Sequence, residues 1–133
     1  MKHGLLLLLL AVPLFAQEDP IGKNLIPPEL VMSQSEKIGL TDKQRATIKS
    51  EVQKAQAKFV DVQFDLQEAT GKMIALMQQT PIDETRVLEQ ADKVMTLERE
   101  MKRAQLTLMI RIRNALTADQ IAKLLVVKRE LHQ

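Results

Sequence analysis

Residues 48–76 read IKSEVQKAQAKFVDVQFDLQEATGKMIAL, and their spacing decides the fold. Apolar or small side chains recur at Ile48, Val52, Ala55, Phe59, Val62, Leu66, Ala69, Met73 and Leu76, in alternating steps of four and three. An unbroken seam of this kind belongs to an α-helix packed lengthwise against another helix. The run predicts one helix from Asp42 to Gln79, about 55 Å long at 1.5 Å per residue. Pro81 forbids the helix from continuing through Thr80.

A second stripe follows: Leu88, Ala91, Val94, Leu97, Met101, Ala104, Leu108, Ile112 and Ala115, with a less regular alternation of steps. It predicts a helix from Asp83 to Ala115, with Thr80 or Asp83 available to cap its start. Two long helices of matched length joined by a tight turn make an antiparallel hairpin. A short helix from Pro28 precedes them, with Pro28 suited to a first turn and Gly39 to a C-terminal cap. Another runs from Thr117 through DQIAKLLVVKREL. The fold class is therefore all-α: four helices, two long and two short.

The same word stands at both ends of the hairpin. LTDKQ (40–44) and LTADQ (116–120) share Leu-Thr-x-x-Gln: Leu40, Thr41 and Gln44, then Leu116, Thr117 and Gln120. Thr followed three places later by Gln is a capping box, in which each side chain satisfies an orphan backbone amide of the other residue. Losing such a cap costs about 1 kcal/mol. In the second copy Leu116 and Ile121 also fit a hydrophobic staple, whereas the first has Arg45 at the matching position. In a hairpin the two words come close in space.

Composition bounds the function. The chain has no cysteine, so disulfides, thiolate metal sites and a cysteine nucleophile are excluded. Residues 1–16, MKHGLLLLLLAVPLFA, place Lys2 before an apolar run too short for the roughly 20 residues that span a bilayer. That layout is a secretory signal peptide with cleavage expected after Ala16, which makes the periplasm the natural address. Removing Lys2 takes the formal net charge from +2 to +1, so bulk charge gives no sign of nucleic-acid binding. Residues 17–27, with two prolines, a glycine and no periodicity, read as a flexible arm ahead of a helical domain at 28–133.

The paired words in a small exported helical protein resemble the Spy/CpxP family of periplasmic proteins. The resemblance covers Glu29 to Leu131. It implies a thin hairpin that pairs into a cradle-like antiparallel homodimer. It also implies either an ATP-independent chaperone for unfolded envelope proteins, or an accessory module of a membrane stress or heavy-metal sensor. The metal-sensing branch of such proteins uses clustered His with Glu and Met. Here only His3 and His132 occur, and Met73 and Met77, one turn apart, read as packing rather than ligation. No metal, cofactor or catalytic residue is expected.

Basic residues crowd the end that holds the two words: Lys43, Arg45, Lys49, Lys54 and Lys58 on one arm, Lys102, Arg103, Arg111 and Arg113 on the other. Acidic residues gather toward the turn. A mixed basic and apolar surface attracts unfolded acidic chains and holds them weakly through flexible side chains. Lys49, Lys58, Phe59, Lys102, Arg103 and Arg111 are the expected client contacts.

Overall fold

The computed structural model describes residues 20–132. After a 3-10 turn at Gly22–Asn24 come α1 (Pro28–Ser33), α2 (Asp42–Met77), α3 (Glu84–Ala115) and α4 (Ala118–Leu131). The two long helices pack against each other as a hairpin, as the seams require. Among the described residues there is no strand, and no helix is long and apolar enough to cross a membrane.

α2 buries Ile48, Ala55, Val62 and Ala69, one residue per heptad. Two of the four are alanines, which let the α3 backbone come close. Val52, Phe59, Leu66 and Met73 flank them, half-buried. The larger core lies at the open end of the hairpin. There Ile26, Leu30, Val31, Ile38, Ile48, Ile112, Leu116 and Leu124 form one cluster, with Leu40 and Ile121 packed against it. The leucine of each word and the expected staple partner thus meet in a single core. Away from it the hairpin is only two helices thick.

Four expectations are corrected. The flexible arm expected over 17–27 is, from residue 20 on, a packed strap. Ile26 is fully buried, Lys128 Nζ donates to the carbonyls of Gly22 and Leu25, the latter at 2.6 Å, and Arg113 Nη1 donates to Asn24 O at 3.0 Å. The lack of periodicity hid this, because a strap needs one apolar anchor rather than a repeat. Residues 17–19 and the expected signal peptide at 1–16 lie outside the described residues.

Second, α1 ends at Ser33 rather than near Gly39. The chain continues through turns that Gly39 closes at φ +64°, where a Cβ would be strained. Third, α2 ends at Met77 and not Gln79. Fourth, Leu88 is not in the seam. It is 57% exposed, while Val87 is half-buried and Gln90 is buried. The irregular start of the apolar stripe marks the place where a polar residue occupies the seam. Gln90 Nε2 donates to the Ala69 carbonyl at 2.8 Å, which ties the arms together in a fixed register. Of the two possible caps, Asp83 is the one used: it accepts from the Arg86 amide at 3.2 Å.

Candidate functional site

Both capping boxes form. Thr41 Oγ1 accepts from the Gln44 amide at 3.1 Å, and Gln44 Oε1 accepts from the Thr41 amide at 3.0 Å. Thr117 and Gln120 repeat this at 3.2 and 2.9 Å. The two glutamines then join. Gln44 Nε2 donates to Gln120 Oε1 at 2.7 Å, and Gln120 Nε2 donates to Gln44 Oε1 at 3.0 Å. Their remaining amide hydrogens reach Ala115 O at 3.0 Å and Ile38 O at 3.2 Å. Each carboxamide therefore uses two donors and two acceptor positions, its full capacity. A capping box accepts Glu as readily as Gln, but only an amide can accept from its own helix start and donate across the gap. The words form one joint, which fixes how α1 and α4 sit on the open end of the hairpin.

Beside the joint, one side of the hairpin carries a shallow groove. Its walls are Glu51, Lys54 and Lys58 from α2 and Glu100, Arg103, Thr107 and Arg111 from α3, and its apolar floor is Ala55, Ala104 and Leu108. Seam spacing builds it: Glu51 and Lys58 each follow a buried seam residue, Ile48 and Ala55, by three places. Arg111 Nη1 pairs with Glu51 at 3.1 Å, Lys54 with Glu51 at 3.5 Å, and Lys58 with Glu100 at 3.6 Å. The hydrogen bond from Arg111, with Lys54 nearby, holds the Glu51 carboxyl below the ordinary carboxylate value. Among the described residues Arg103 makes no ion pair. Four cations against two carboxylates leave the groove at +2.

Of the expected client contacts, the structure brings Lys58, Arg103 and Arg111 together in this groove. Lys49 and Lys102 are exposed, but each follows its seam residue by one place and so falls on the opposite side. Phe59 is half-buried between the arms, while Phe64, which the reading of the sequence passed over, is 69% exposed. Lys54 belongs to the crowded basic residues but not to the expected contacts, and Glu51 and Glu100 line the groove without having been expected there. A groove between two helices takes lining residues from both, and only the pairing register, set by Gln90 and the joint, aligns them.

The sequence model of the heavy-metal resistance family matches residues 4–123. The chain belongs to that family. No curated protein and no solved structure matches it.

A family of this kind implies a metal, and the donor set can be tested against one. Among the described residues no group of three or more His, Cys, Asp or Glu side chains is placed to hold an ion. Cysteine is missing from the chain, His132 stands exposed at the end of α4, and Met73 and Met77 line an apolar patch with Thr70, Ile74 and Gln78. Two thioethers fall short of the three or four ligands of a usual site. These residues do not fit a resident metal ion.

Proposed function

We propose that this member of the heavy-metal resistance family is a periplasmic, nucleotide-independent holder of unfolded envelope proteins, a binding protein rather than an enzyme. The observation that carries the reading is the groove. Its net charge of +2 attracts acidic segments over distance, and Arg103 offers a fork of donors to a carboxylate. Beneath it, the small apolar floor and the flexible stems of Lys54 and Lys58 suit weak, sequence-tolerant contact. Heavy-metal stress unfolds proteins, so a holder of unfolded chains serves resistance without binding the ion. The chain works as a homodimer in this reading, supported by exposed Met77, Leu88 and Met95 on the side away from the groove.

A second reading, docking on the folded domain of a membrane sensor as its regulator, is favoured by the family itself. The two are separated by light scattering of a chemically denatured client diluted into the protein without ATP. Holding predicts suppression near one dimer per client, weakened by salt and by the paired change Lys58→Glu with Arg103→Glu. Normal aggregation at large excess of well-folded protein overturns it and moves the regulator to first place.

A further inference from the structure

α2 carries a second seam. Diametrically opposite its buried face run Ser50, Gln53, Ala57, Val60, Phe64, Gln67, Gly71, Ile74 and Gln78, again in alternating steps of three and four. All nine are exposed, with Val60 at 51%, Phe64 at 69% and Ile74 at 53%. None is charged, although α2 holds eleven charged residues. The matching outward positions of α3 mix charge, at Glu89, Asp92 and Arg99, with exposed Leu106 and Ile110. Gly71 sharpens the contrast. A glycine inside a helix costs about 1 kcal/mol relative to alanine, yet a Cβ at Gly71 would meet nothing within the molecule. The notch opens to the outside of the molecule.

Heptad spacing over about 40 Å fits a helix; an extended chain, with its two-residue period, does not match it. Charge selects among helices. Beyond exposed Lys54, the same flank of the seam carries Asp61 and Glu68, seven places apart and exposed, and the opposite flank over the stretch 56–70 is uncharged Gln56, Gln63 and Thr70. Glu68 leans on Lys72 at 3.0 Å, an exposed pair of little energy. A second copy docked antiparallel on this face sets Asp61 and Glu68 against their own counterparts. Docked parallel, it stacks Gly71 on Gly71 over a void.

We propose that the outer face of α2 docks one amphipathic helix of another protein, apolar along its seam, bulky over Gly71 and basic beside Asp61 and Glu68. The surface is separate from the groove. The probes are two 28-residue helical peptides with the same Leu/Ala seam, one flanked by lysines and one by glutamates, titrated by calorimetry into the whole protein. The lysine peptide is expected to bind at least tenfold tighter than its twin. Phe64→Glu and Gly71→Leu, both on exposed helix surface, should each weaken it at least tenfold, and Arg99→Glu on α3 should leave it unchanged. No binding, equal binding of the twins, or indifference to Phe64→Glu overturns the proposal. So does a dimer, seen by sedimentation, that Phe64→Glu takes apart, since that assigns the face to a second copy.

Discussion

Gln44 and Gln120 exchange hydrogen bonds carboxamide to carboxamide, at 2.7 and 3.0 Å, across 76 positions of sequence. Each residue also closes its own capping box, so local helix initiation and long-range closure depend on the same two side chains. Such a network is valuable when complete and costly when broken, because Gln120 is buried and its partners cannot all turn to water.

Gln44→Glu separates the two jobs. A carboxylate still caps the helix, but it cannot donate to Ala115 O or Gln120 Oε1 and faces both as a like partial charge. The variant should lose about 2 kcal/mol at neutral pH. Its folded carboxyl is pushed above the unfolded value near 4.3, so the pH-dependent part of the loss is absent below that pH and grows as pH rises toward the raised folded value, while the second donor that a protonated carboxyl lacks stays missing at every pH. Urea denaturation at several pH values measures it. A pH-independent loss would show that donation across the joint is unimportant.

The groove makes its own pH statement. Arg111 holds the Glu51 carboxyl low. The small stability this brings is present above the ordinary carboxyl range and lost as pH falls through the lowered folded value. In Arg111→Gln the Glu51 titration should move up toward the ordinary value, with Lys54 keeping part of the shift. Carboxyl-carbon NMR reads it directly.

At the seam, Gln90 is bonded to Ala69 O, a carbonyl that lies within the α2 ladder. Gln90→Leu should therefore change stability by less than about 1 kcal/mol, since shape is kept and no acceptor is orphaned. Gln90→Ala should cost about 2 kcal/mol by leaving a gap. Equal losses would mean that the hydrogen bond, and not the packing, matters.

Lys128 straps residues 22–25 to α4, and burial holds its ammonium below the ordinary lysine value. Lys128→Met should free the strap at a cost of about 1–2 kcal/mol. Hydrogen exchange should speed at Asn24 and Leu25, whose amides bond to Ile21 O and Gly22 O, while α2 and α3 amides keep their protection.

Periodicity made the hairpin legible. The seam of α2 could be read to the residue, because every member is apolar or small, and Pro81 marked its end. The α3 seam was read one place off at its start, because the eye follows Leu88 and not Gln90, which is polar and yet buried. The boxes were legible as caps, but their pairing was not: nothing local distinguishes a glutamine that only caps from one that also reaches another helix. The strap was missed since Ile21, Leu25 and Ile26 follow neither a helical nor a strand period among the prolines. The groove was half legible, as charge crowding rather than as lining. The uncharged outer seam of α2 could have been counted from sequence, since it needs only the stripe opposite the first.

Protein binding through the groove is the central functional claim, and amide NMR tests it most directly. An isotope-labelled sample is titrated with an unlabelled, permanently unfolded acidic protein. Shifts and broadening should cluster at 51–58 on α2 and 100–111 on α3, and disappear when Lys58 and Arg103 are both changed to Glu. An unchanged spectrum at client excess, or changes confined to residues outside the groove, would contradict the account.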